Sequence, residues 1–396
     1  MTDVLAQSAV LGWTLLAVLA TCAMLVVLTA ARRLQVGVTT RRREALERPV
    51  RPLVLTLAAD ADDDGEAYRT LATAPPDTWA AIEPLVVRVL GKVRGDARGT
   101  LTELLELHGA ADRALRGITA RGAVRRALAA ETLGLLGAES STAPLRACLH
   151  DRAADVRRVA VRALGRIGDP TVAPALIDTL DGSRPVPAQS VIQALLRLGP
   201  GVAPHLVPAL QDRSEAVRAA VAEVLGLLRA VSATHPLIAT LAEDPSLDVR
   251  LRAVKALGGI GHPTAVGALL SAIGSTEDPL IRAAAARALG ELGSDRAVRA
   301  LVGLLYEQEH AVALAAANSL VQLGKPGVEA LTEVLRLSRP GRVPGRTCTG
   351  LPDDELPGGA VATELRTIAD PDGRTVTTAA CYAAAALVAA RRAEPE

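Results

Sequence analysis

The chain has 396 residues, 44 of them basic and 43 acidic, and that balance argues against a surface dedicated to nucleic acid or to a strongly acidic partner. Aromatic residues make up 1% and Phe is absent, so a core must come from close-packed Ala and Leu. Four cysteines, Cys22, Cys148, Cys348 and Cys381, lack any metal-ligand spacing and fit a reducing compartment, or indifference to redox, better than a disulfide framework.

Residues 4–31 carry no charged side chain. At the helical rise, the more apolar part at 9–31 would extend about 35 Å, long enough to span a bilayer. Asp3 is the one charge before Ala9, unlike the basic start of a secretory signal, whereas Arg32, Arg33, Arg41, Arg42, Arg43, Arg48 and Arg51 follow. The expectation is a transmembrane anchor with a basic flank over 1–38. Its N-terminus lies outside, the rest of the chain is cytoplasmic at the inner (plasma) membrane, and the arginines touch anionic lipid.

Residues 39–78 read as a juxtamembrane linker, with Pro49, Pro52, Pro75 and Pro76 around an apolar run, LVLTLAA, that could be a strand or a turn of helix. Asp60, Asp62, Asp64 and Gly65 match the opening of a calcium loop. Leu71 stands where the closing Glu is needed, which favours a solvated acidic turn. Segments 79–93 and 99–108 then suggest an irregular capping pair within 79–120, with Trp79 at the open end of the fold.

From residue 121 the chain repeats. The stretch DVRRVAVRALGRIG at 155–168 places Val156, Val159, Ala160, Ala163, Leu164 and Ile167 on one helical stripe, with Arg157, Arg158, Arg162 and Arg166 opposite. Equivalent leucines are Leu133, Leu164, Leu195, Leu225, Leu257, Leu289 and Leu320, spaced 31, 31, 30, 32, 32 and 31 residues apart. A second apolar segment lies between each pair, so each unit is a helical hairpin. Here the chain resembles the HEAT-repeat family, in particular its short bacterial, phycobiliprotein-lyase-type variety, over roughly 121–338. The resemblance implies an all-α solenoid. One finer match is an Asp six residues before an Arg, as in Asp151 and Arg157, Asp212 and Arg218, and Asp244 and Arg250. An Arg near a helix start meets the positive end of the dipole, which a nearby Asp offsets. The resemblance implies that these side chains form a structural ladder between adjacent repeats. Thr276 with Arg282, and Glu307 with Ala313, depart from the pattern.

Residues 339–374 form a Pro- and Gly-rich insertion, read either as a binding loop or as a tolerated insertion, before a C-terminal capping helix and tail at 375–396.

Chemistry is hard to find in the sequence. His108, His150, His205, His235, His262 and His310 fall in separate repeats without a metal-binding motif, and Gly324-Lys325 is followed by Pro326 rather than a phosphate-loop Ser or Thr. No catalytic, cofactor-binding or metal-binding residue is assigned, and the chain is expected not to be an enzyme. What remains is the exposed inner position that is Arg162, then Glu223, Lys255 and Arg287, a mixed surface suited to a protein partner. The expected function is therefore a membrane-anchored scaffold or adaptor that binds a protein at the cytoplasmic face, with an accessory role beside a membrane enzyme. The alternatives are an enzyme of the bilin-lyase or DNA-base-excising type, which the resemblance implies, and a purely structural spacer. Tyr306 is the one aromatic in the regular repeats, which weakens the base-excising reading.

Overall fold

The computed structural model describes residues 44–60, 65–274 and 277–337, with 21, 22, 24–29, 33, 382–387 and 389. These form α-helices and short 3-10 turns, with no strand among the described residues. They fall into two compact units, 1–120 and 121–396.

In the first unit residues 44–58 are helical, so of the two forms open to the LVLTLAA run the helical one is present. Val54 and Leu57, one turn apart, are buried, and that burial offsets the cost of the interior Pro49 and Pro52. Helices Glu66–Ala72, Pro76–Leu90, Asp96–Leu107 and Ala110–Gly117 follow. Trp79 is a core residue of this unit, stacked on His108 with ring centroids 3.8 Å apart and planes inclined by 10°. The His108 Nε2 lies 3.0 Å from the Leu71 carbonyl oxygen, so the imidazole ties two helices together. Leu71 is buried. Asp62 and Asp64 of the calcium-like run lie outside the described residues.

In the second unit the seven leucines sit on helices α1 (Ala123–Leu136), α2 (Ala154–Ile167), α3 (Ala188–Arg197), α4 (Glu215–Leu227), α5 (Leu247–Ile260), α6 (Pro279–Leu292) and α7 (His310–Gln322). Each packs on the next, forming one layer. The companion helices form a second layer, in which Thr234–Glu243 contacts Ala265–Ala272 and Val298–Leu304 contacts Lys325–Leu337. Residues 382–387 are helical and largely buried, with Tyr382 set edge-on to His310 at 6.1 Å. The 339–374 insertion and residues 375–381 lie outside the described residues.

The long helices stop where one residue enters the left-handed region, as Gly168 does after α2 with φ 84°. At the equivalent place after α4 stands Arg229, with φ 51°. An L-residue there costs about 1–2 kcal/mol, partly offset by the greater freedom of Gly in the unfolded chain. Arg229→Gly is therefore expected to raise stability by about 0.5–1 kcal/mol, seen as a higher midpoint in urea unfolding; a lower midpoint would count against this reading.

A helix inside a stack meets neighbours on several sides, so its buried arc is wider than one stripe. In α2, Val161, Gly165 and Arg157 are buried along with most of the expected positions. Arg157, at 7% exposure, is a correction, since it was expected on the solvent face. The glycine that follows most of the repeat leucines marks the closest approach of neighbouring helices. Gly134 faces Ala163, Gly165 faces Ala194, Gly226 faces Ala256, Gly258 faces Ala288 and Gly290 faces Ser319. One junction differs: between α3 and α4 the aligned positions carry Leu196 and Val224. Helix α3 is also the shortest of the seven, starting only after Pro185 and Pro187.

The membrane anchor, the bilayer partnership and the inner-membrane location all need correction. Among the described residues no helix is long and apolar enough to cross a membrane. Most of 1–38 lies outside the described residues.

Candidate interaction surface

The position two residues before each repeat leucine points outward from the α1–α7 layer. It carries Glu131, Arg162, Gln193, Glu223, Lys255, Arg287 and Asn318 in order. Glu131 was missed in the sequence, although the leucine register gives its position. Its carboxylate accepts from Arg162 Nη2 at 2.7 Å and from Arg166 Nη1 at 2.6 Å, joining α1 to α2. Burial, which opposes its ionisation, is outweighed by the Arg166 and Arg162 hydrogen bonds, so Glu131 titrates below its ordinary value. Glu223 pairs with Arg252, which also donates to Asp248 Oδ2 at 2.9 Å. Lys255 lies in the same α4–α5 groove, of about 350 Å³. Arg287 is exposed on α6. The four residues predicted as partner contacts thus stand in one layer, with Arg162 and Glu223 already engaged by opposite charges of the adjacent helices.

A larger groove of about 460 Å³ separates α2 from α3, lined by Arg158, Arg162, Gln193 and Arg197 among others. Exposed apolar side chains punctuate the layer, with Val124 at 82% and Leu128, Leu227 and Leu280 each above half exposed.

The Asp and Arg residues singled out in the sequence sit at one end of the long helices. Asp151 accepts from Arg126 of the preceding unit, at 2.7 and 2.8 Å. Asp244 likewise accepts from Arg218, at 2.7 and 3.0 Å. Within their own units two of the arginines instead meet the Asp backbone: Arg157 Nη1 donates to the Asp151 carbonyl at 2.9 Å and Arg218 Nη1 to the Asp212 carbonyl at 3.0 Å. Arg250 pairs with Glu277 at 2.9 Å and Arg282 with Glu307 at 2.5 Å. Thr276 lies outside the described residues, and the neighbouring Glu277 takes the acidic role.

The row of cross-unit pairs breaks around α3. Gly182 stands where an acid would receive Arg157, and Ala188 stands where an Arg would reach Asp212. Arg157 Nε is left buried without a hydrogen-bond partner, and Asp212 is exposed. The side-chain bond from Arg126 chiefly lowers the Asp151 pKa. At Asp244, burial is outweighed by bonds from Arg218 and the Ser246 N–H, and the pKa again falls below the usual carboxylate range.

The family model for HEAT repeats matches residues 113–196 and 234–322. The chain contains HEAT repeats. The unmatched stretch between the two regions, 197–233, includes α4 and the turns that join it to α3. No curated protein matches the chain. Similar solved structures include the complex of CpcE and CpcF of phycocyanin lyase from Nostoc sp. PCC7120, at 24% identity over 61% of this chain and 94% of that one, with a TM-score of 0.26. Human deoxyhypusine hydroxylase in complex with glycerol is similar at 21% identity over 70% and 97%, with a TM-score of 0.29. Kap95p bound to RanGDP is similar at 12% identity over 72% and 46%, with a TM-score of 0.48. At these identities the likeness concerns fold alone. The expectation that the chain is not an enzyme is nonetheless corrected. A lyase and a hydroxylase stand among the similar structures, and a fold by itself excludes no activity.

Proposed function

We propose that the repeats act as a scaffold or adaptor that docks a protein partner on the exposed face of α1–α7, with Arg162, Glu223, Lys255 and Arg287 among the contacts. The observation that carries this reading is the uninterrupted outward row running helix to helix, with charges of both signs and exposed Val124, Leu128, Leu227 and Leu280 close by. Continuous faces of this kind, built one side chain per repeat, are how stacked repeats recognise extended surfaces. The period of 30–32 residues supports assigning the units to the short HEAT-like variety.

Crosslinking of the full chain followed by mass spectrometry, repeated with an Arg162→Glu, Lys255→Glu, Arg287→Glu triple variant, tests the reading. A scaffold loses its partner in the variant. A spacer captures the same proteins in both forms, and that result would reject the proposal.

A further inference from the structure

The near-neutral charge of the whole chain conceals a local imbalance in the groove between α2 and α3. Arg158 and Arg162 each have one carboxylate partner, Asp155 at 2.5 Å and Glu131 at 2.7 Å, yet their side chains remain 55% and 50% exposed. Each guanidinium carries five N–H donors, so most of that capacity is unused. Arg197, from α3, lines the same groove, is exposed, and enters no ion pair among the described residues. Ser190 and Gln193 add a hydroxyl and an amide on the α3 wall. The α4–α5 groove provides a contrast. There Arg252 is joined to both Glu223 and Asp248, and the charges cancel within the groove.

Resting on the scaffold reading, we propose that the α2–α3 groove is the specificity element of the surface and receives an extended acidic peptide segment of the partner protein. Arg158, Arg162 and Arg197 hold carboxylates in charge-assisted, fork-shaped contacts. Ser190 and Gln193 match the alternating donors and acceptors of a peptide backbone. A nucleic acid fits less well. Helices α1–α7 carry no Phe, Tyr or Trp on which a base could stack.

The test is fluorescence anisotropy on the full chain at low salt, with three labelled probes: a Glu- and Asp-rich peptide about twelve residues long, its Gln and Asn counterpart, and a single-stranded oligonucleotide. The acidic peptide is expected to bind at least about tenfold more tightly than the neutral one, and Arg158→Glu with Arg197→Glu to weaken it about tenfold or more. A charge-matched control on the last repeat helix, Lys325→Glu with Arg336→Glu, is expected to change affinity less than about twofold. Circular dichroism confirms that each variant is folded. If the Glu variant does not fold, Arg158→Gln with Arg197→Gln is measured instead, with a loss expected in the same direction. Equal binding of the two peptides, equal losses in the groove and control variants, or tighter binding of the oligonucleotide would each overturn the proposal. Partner capture that survives the groove variant overturns the groove assignment alone. Capture indifferent to the triple variant above, with peptide binding intact, overturns the scaffold reading instead.

Discussion

Gly226→Ala is expected to destabilise the repeat unit by about 1–3 kcal/mol, although helix propensity alone predicts a gain of about 1 kcal/mol. A Cβ at this position would lie 2.6 Å from the Ala256 Cα and 2.7 Å from its Cβ, so α4 and α5 would have to move apart. The clash outweighs propensity because the neighbour is backbone, which a rotamer change cannot clear. Gly267→Ala is the informative contrast. Gly267 is helical with nothing within 4 Å of its would-be Cβ, and there a gain of about 0.5–1 kcal/mol is expected. Urea unfolding of both variants, followed by far-ultraviolet circular dichroism, gives the comparison. Midpoints shifted in the same direction would refute the close-approach argument.

The second large effect concerns the cross-unit pairs. Asp244 and Arg218 have side chains only 5% and 12% exposed, so Asp244→Ala leaves a guanidinium desolvated and without its carboxylate, at a cost of about 3 kcal/mol. Asp212 supplies the control. Both aspartates accept a bond from the backbone N–H two residues on, Ser246 at 2.9 Å and Ser214 at 2.8 Å, but only Asp244 also receives an Arg from the previous unit. Asp212→Ala should therefore cost only the local turn, about 1 kcal/mol, and the difference between the two variants isolates the pair. Equal losses would mean that the pair adds nothing. The same geometry fixes a pH dependence. Asp151 and Asp244 bind their protons less tightly when folded than when unfolded. Their stabilisation is thus fully present above the unfolded value, near pH 4, and is lost as pH falls from there through the depressed folded values. Asp244→Asn should flatten that acid limb while leaving its shape near neutrality unchanged.

How far the sequence reached can be judged from particular residues. The leucine register was legible because every hairpin must bury the same face against its neighbours, and that requirement repeats with the unit. The same register places Arg126, Glu131 and Gln193, which went unremarked because a single helix read alone assigns them to solvent. Arg157 shows the limit of such a reading: its spacing from the apolar stripe predicts exposure, and the next unit covers it. The run within the helix at 44–58 stayed open between strand and helix because a short apolar stretch beside two prolines fixes no period, and the burial of Val54 and Leu57, one helical turn apart, decides it.

The sequence by itself therefore determined the all-helical hairpins, their period near 31 residues and which positions share a face, since these depend on the geometry of one helix and on repetition. Tertiary structure alone decided which carboxylate each Arg takes and which glycines are close-approach points, with the pairs failing on both sides of α3 and the glycine seam between α3 and α4. Those features depend on the offset between neighbouring helices, and a charge six residues away in the sequence can lie farther off than one contributed by the adjoining repeat.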